Sequence, residues 1–148
     1  MTRTFAFFAS SLVSAYWNGA ATYYRGIVRA LAARGHRVTF YEPDAYDRQA
    51  HRDIDDPDYC EVVVYPGNDD GAALSALARA MKTADVVVKA SGIGVYDALL
   101  EEAVVAQRKA RHTVIYWDVD AAATLDRLEA DPREAFREHV RRYDAVFT

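Results

Sequence analysis

Cysteine is nearly missing: Cys60 is the only one in 148 residues, which excludes an internal disulfide and any zinc cluster built from thiolates. Next to the apolar run at Glu61 to Val64 it reads as a small buried hydrophobe. Glycine is scarce where a dinucleotide site would need it. Ser10 to Gly19 (SSLVSAYWNG) follows the first apolar run and holds one glycine, Gly19, at its far end. A Rossmann fingerprint needs G-x-G-x-x-G directly after the first strand, so NAD and FAD are disfavoured and no cofactor is expected. Positive charge is also in deficit, with 18 Lys and Arg against 22 Asp and Glu and a net charge of -4. Without a basic stripe, nucleic acid and anionic membranes are poor partners. No apolar run approaches the ~20 residues of a membrane span. The opening MTRTFAFFASS is too short in apolar residues for a signal-peptide core, so a cytoplasmic location is expected.

What is present is ordinary globular material, 51% hydrophobic and 27% charged. It has no repeat, linker or low-complexity tract and is expected to form one domain over residues 1–148. Phe5 to Ala9 (FAFFA) is an apolar run of the kind found in parallel strands covered on both faces. From Ala20 to Arg34, Tyr23, Ile27, Ala30 and Leu31 repeat at helical spacing, which predicts that this stripe lies on the sheet. Gly35 closes that helix, and Arg37 to Tyr41 (RVTFY) resumes a strand. An acidic crossover from Pro43 to Tyr59, partly helical and bounded by its prolines, leads to a third strand at Glu61 to Tyr65.

The turn Pro66 to Gly71 opens a helix carrying Leu74, Leu77, Ala78 and Met81 on one stripe. Asp85 to Ala90 is the fourth strand, and after it Tyr96, Leu99, Leu100 and Ala103 share a helical face. Thr113 to Trp117 is the fifth strand, two short helices flank Pro132, and Asp144 to Thr148 forms a sixth strand. Strands alternating with helices predict an α/β, doubly wound (Rossmann-like) parallel sheet of six strands, order 3-2-1-4-5-6, with 2-1-3-4-5 as the other topology. Ligands of such sheets bind beyond the carboxyl ends of the strands. Here that means Ser10 to Gly19, Ser91 to Val95 and Asp118 to Ala122.

Each loop carries a candidate and a plain structural explanation. Asn18-Gly19 can cap the following helix, or offer its N-H groups to an anion or a sugar hydroxyl. Tyr16 and Trp17 either pack that loop or present a platform on which a sugar stacks. Ser91-Gly92-Ile93-Gly94 is a tight turn or a place where backbone approaches a ligand. Asp118-Val119-Asp120 resembles the D-x-D that holds a divalent metal and a nucleotide diphosphate, while Asp120 can equally cap the next helix. Glu42 ends the second strand and reads as a solvated carboxylate. His36 and His112 precede strands, His139 lies in a late helix, and only His51 can reach the cleft rim. No G-x-S-x-G elbow is present. Proton transfer therefore falls to Asp118 or Asp120.

Residues 7–58 (FFASSLVSAYWNGAATYYRGIVRALAARGHRVTFYEPDAYDRQAHRDIDDPD), followed by VVVKASGIGVYDALLEE and VIYWDVDAAATL, resemble the opening of CgeB-like glycosyltransferases of GT-B architecture. The resemblance implies an amino-terminal, acceptor-side domain, with a carboxyl-terminal domain that holds the nucleotide-sugar absent from these residues. It implies no bound metal, a sugar acceptor and a nucleotide-sugar as partners, and inactivity of this domain alone. By position, Tyr16, Asn18, Gly19, Ser91, Gly92, Asp118 and Asp120 would line the acceptor side of the cleft. Two other readings stand beside it: a metal-dependent D-x-D transferase, and a non-catalytic α/β module that forms a homodimer through an exposed face.

Overall fold

A computed structural model describes every residue from Met1 to Thr148. Six parallel strands form one sheet in the order β3-β2-β1-β4-β5-β6, as the alternation of apolar runs and helical stripes predicts. They are β1 Thr4–Phe8, β2 Arg37–Asp44, β3 Glu61–Pro66, β4 Val86–Ala90, β5 Thr113–Trp117 and β6 Ala145–Phe147. The helices are α1 Ala21–Ala33, α2 Asp70–Thr83, α3 Asp97–Ala106, α4 Ala121–Ala130 and α5 Phe136–Val140, with a 3₁₀ turn at Gln49–His51. None is long and apolar enough to cross a membrane.

Period-two alternation divides the core in two. Phe8, Tyr41, Val87 and Tyr116 point to the face covered by α2, α3 and α5. Phe7, Phe40, Val86 and Val88 point to the face covered by α1. Rings stack across neighbouring strands, Phe8 on Tyr41 at 4.7 Å and Phe7 on Phe40 at 6.1 Å, so register is set by aromatic pairs on both faces. Pro43 lies inside β2 and not at the start of the crossover. β1 pairs with β2 only as far as Tyr41, so on that side no neighbour needs the N-H that proline lacks.

The helical stripe expected on α1 is displaced by one residue. Ala21, Tyr24 and Val28 are buried, whereas Tyr23 is 69% exposed and Ile27 is half-exposed. One residue corresponds to a rotation of about 100°, and two contacts set it. The Tyr24 ring enters an aromatic socket between Phe40 at 5.4 Å and Trp117 at 5.5 Å. Arg25 then faces Leu12 and Asp53, donating to both. Because only α1 covers its face, an apolar groove of about 320 Å³ stays open over β4, β5 and β6, lined among others by Phe5, Ile27, Leu31, Ile115, Trp117 and Phe147.

Truncating the socketed ring, Tyr24→Ala, is expected to cost about 3 kcal/mol or more, whereas Tyr23→Ala should stay within about 0.5 kcal/mol. Urea denaturation of both variants checks this, and equal losses would contradict the observed rotation of α1.

Candidate functional site

The carboxyl edge of the sheet is organised around buried charge. Glu42, at the end of β2, is 0% exposed and is not the solvated carboxylate that its strand-end position suggests. One of its oxygens accepts from the Ser11 hydroxyl at 2.8 Å and from the Gln49 amide at 2.6 Å, and the other accepts from Leu12 N-H at 2.6 Å. A carboxylate is thus bonded to the first turn after β1, where a Rossmann site brings backbone N-H groups to a pyrophosphate. One of those donors, Leu12 N-H, is taken, and a carboxylate stands where phosphate would lie.

The rest of the Ser10 to Gly19 loop is held from within by Asn18 and from outside by the crossover, where the Ser14 hydroxyl donates to His51 O at 2.8 Å and Ala15 N-H to Asp53 at 2.9 Å. Asn18 is buried; its amide donates to the carbonyls of Ser11 and Ser14, both at 2.8 Å, and its side-chain oxygen accepts from the Ser10 hydroxyl at 2.7 Å. Its side chain does not cap α1, whose N-cap is Ala20 with no side-chain bond. Asn18 therefore shapes the loop and Gly19 stays exposed beside it. Tyr16 stacks on His51 at 4.0 Å, so this histidine does reach the rim. Trp17 is 82% exposed, with a left-handed φ of 46°.

Outside the loop, Arg25 grips Asp53 through two bonds of 2.8 and 2.7 Å. This guanidinium, helped by Ala15 N-H, lowers the Asp53 pKa to about 2.

A second cluster joins the β4 and β5 loops. The Ser91 hydroxyl donates to Asp118 at 2.8 Å and accepts from Val119 N-H at 2.9 Å. The same Asp118 oxygen accepts from the Thr124 hydroxyl and from Asp120 N-H, so this buried carboxylate is tied to its own turn. Asp120 caps α4 by accepting from Ala123 N-H at 3.2 Å, as expected, and is exposed. No group of three or more His, Cys, Asp and Glu is arranged to hold a metal. Next to this turn lies a cleft of about 200 Å³ lined by Ser91, Gly92, Asp97, Glu101, Asp120 and Arg127, among others.

Two charged residues here escaped the sequence reading. Lys89 is fully buried in β4, with its ammonium donating to Ala90 O at 2.7 Å and to Asp97 at 2.5 Å. Asp97 in turn accepts from Ile93 and Gly94 N-H, which clamps the turn before α3. Glu101 is buried and meets Tyr116 at 3.1 Å and Arg127 at 3.2 Å. The signal for Lys89 was its place in VVVKA: a lysine in an apolar central strand requires a partner, and Asp97 lies one turn of chain beyond the loop.

The candidates thus fall into two groups. Ser91, Gly92, Asp118 and Asp120 form one site. Tyr16, Asn18 and Gly19 lie in another loop, and no hydrogen bond joins the two. Between them comes the β2-to-β3 crossover, which sends Tyr46 to Gly94 O at 2.8 Å and Arg48 to Ile93 O at 3.1 Å. All four non-glycine residues with positive φ, namely Trp17, Tyr46, Asp47 and Tyr96, follow strands on this same edge. Each costs about 1–3 kcal/mol, strain that clusters at functional edges.

No protein-family model matches the chain, and no curated protein matches it in sequence. Solved structures do share its fold. Over 99% of its length the chain superposes on an alpha-glucosyltransferase solved with UDP and a 13-mer DNA containing an HMU base, at a TM-score of 0.59 and 15% identity. It spans 37% of that protein's length. WbmH of Bordetella bronchiseptica, solved with NAD+, matches 79% of this chain and 39% of its own, with a TM-score of 0.51 and 16% identity. BdcA of E. coli matches 97% of this chain and 80% of its own, with a TM-score of 0.51 and 18% identity. The likeness is one of Rossmann-like fold, common to a glycosyltransferase and an NAD+-binding protein.

Glu42→Ala is expected to strip acceptors from Ser11, Leu12 and Gln49 and to destabilise the chain by about 2–4 kcal/mol, with Glu42→Gln costing less. Chemical denaturation measures both losses. The Arg25–Asp53 pair predicts a second effect. A carboxyl whose pKa is lowered by folding stabilises the protein above its unfolded value of about 4. That contribution is lost as pH falls toward about 2. Melting temperatures of wild type and Asp53→Asn should therefore differ near neutrality and converge at the acid end; parallel curves would refute it.

Proposed function

We propose that residues 1–148 are the amino-terminal, acceptor-side domain of a CgeB-like GT-B glycosyltransferase, which moves a sugar from a nucleotide diphosphate to a hydroxyl acceptor. The observation that carries this reading is the Glu42 carboxylate seated under the first loop. A Rossmann-like domain built this way holds a carboxylate where a dinucleotide enzyme would bind a diphosphate, which suits the half of a transferase that receives the acceptor. Superposition of nearly the whole chain on little more than a third of a UDP-bound glucosyltransferase is in keeping with one domain of a longer transferase. The open apolar groove beside α1 adds support, because a face of this kind calls for a covering element, whether another part of a longer protein or a second copy.

Within this reading Asp120 is the exposed carboxylate able to accept an acceptor proton, and Asp118, held by Ser91 and Thr124, positions its turn. Tyr16 and Gly19 offer exposed contacts at the opposite loop, Asn18 holds that loop in shape, and Ser91 with Gly92 forms the floor beside Asp120. Donor contacts that stabilise a departing diphosphate belong to the other domain. The metal-dependent D-x-D alternative is less favoured, because one Asp118 oxygen is already shared by Ser91, Thr124 and Asp120 N-H.

Calorimetric titration of UDP-glucose into this chain without metal is expected to give no saturable binding in the submillimolar range. Tight binding would refute the division of labour between the halves. A response to Mn²⁺ plus UDP that vanishes in both Asp118→Asn and Asp120→Asn would favour the metal-dependent reading instead.

A further inference from the structure

We infer that the cleft between the carboxyl ends of β2 and β3 is a binding subsite for a neutral saccharide, serving as the acceptor in the transferase reading on which this step rests. The cleft has a volume of about 620 Å³, and Asp44, Tyr46, Val64, Tyr65, Asn68 and Val95 are among its lining residues. None of the candidates read from the sequence lies in it.

Its main feature is a ring that is exposed yet immobilised. Tyr46 is 53% exposed, but three contacts pin it. Its hydroxyl donates to Gly94 O at 2.8 Å. The Arg48 guanidinium lies 4.9 Å from its ring centroid. Its ring packs so closely on Gly94 that a side-chain carbon there would come within 2.6 Å. The backbone is held at a φ of 58°, a left-handed value that a tyrosine rarely adopts. A solvent-facing aromatic fixed in this way loses little entropy when a flat apolar surface stacks on it.

Tyr65 closes the cleft from the core side: it is only 4% exposed, packs in the core beside Tyr96, and its hydroxyl is sealed from solvent. Polar contacts to a ligand therefore fall to Asp44 and Asn68, with Tyr46 as the exposed ring.

Charge selects among ligands. Asp44 lines the cleft and no lysine or arginine does, so a neutral ligand suits it better than a phosphate. Asp44 can accept from sugar hydroxyls and the Asn68 amide can both donate and accept. Tyr46 and Val64 offer apolar contact to the C-H face of a pyranose. The wall is shaped by Gly67, where a side-chain carbon would lie 2.1 Å from Asp44 O, so the turn after β3 presses directly on the end of β2.

The test is a heteronuclear NMR titration of the labelled chain with maltose, cellobiose and lactose, followed by Tyr46→Ala and Asp44→Ala. Amide shifts concentrated in Asp44 to Tyr46, Val64 to Asn68 and Val95 are expected with at least one of the three. Each variant should weaken that binding by about tenfold while keeping the dispersed spectrum of a folded protein. Asp44 is exposed and makes no side-chain bond, so its variant tests the site even if Tyr46→Ala disturbs the fold. No shifts at these residues with any of the sugars, or shifts that both variants leave intact, would overturn the subsite without touching the transferase reading. Binding here in a protein whose longer form transfers no sugar would uphold the subsite and remove that reading.

Discussion

Glu42 is the interaction on which the carboxyl edge depends. Its two oxygens join the end of β2 to the first residues after β1 and to Gln49 in the crossover, so three chain segments share one buried charge. A carboxylate taken from water is tolerable only when its lone pairs are met, and here hydroxyl, amide and backbone donors meet them. The consequence is electrostatic as well as structural. The first loop carries a buried carboxylate where a dinucleotide site would carry phosphate, and Leu12 N-H is bonded to it.

What the carboxyl edge offers is a set of polar turns, each fixed by an internal bond. Lys89 and Asp97 hold the turn before α3, and Ser91 and Asp118 hold the turn before α4. The crossover after β2 reaches over to Ile93 and Gly94. The strained residues Trp17, Tyr46, Asp47 and Tyr96 lie in these same turns, so the sheet's stability is partly spent in holding exposed aromatic and polar groups still. Such an edge suits the proposed ligand, rich in hydroxyls and poor in charge. Glycines do line the loop before α3, where Gly92 and Gly94 have φ of 68° and 94°, but Asp97 takes the Ile93 and Gly94 N-H groups there.

The two faces of the sheet differ in the same functional sense. α2, α3 and α5 close one face fully, whereas α1 leaves the region over β4 to β6 as an apolar groove. Exposed apolar surface of this kind is costly in water unless something covers it. It fits the proposed place of the domain as one half of a two-domain enzyme.

Strand order and parallel direction were legible in the sequence, because they follow from local periodicity and from the handedness of crossovers. The cap at Asp120 and the burial of Cys60 were legible for the same reason, each being decided by near neighbours. The rotation of α1 was not, since Tyr23 and Tyr24 are chemically alike and only a socket formed by Phe40 and Trp117 distinguishes them. Nor were the burial of Glu42 and Lys89, the pinning of Tyr46 by Gly94 or the unmet hydroxyl of Tyr65. The sequence by itself determined the layered sheet, because a repeat of apolar residues acts within a few turns of chain. Tertiary structure alone decided which charges are buried and which rings face solvent, because those depend on partners brought together from distant strands.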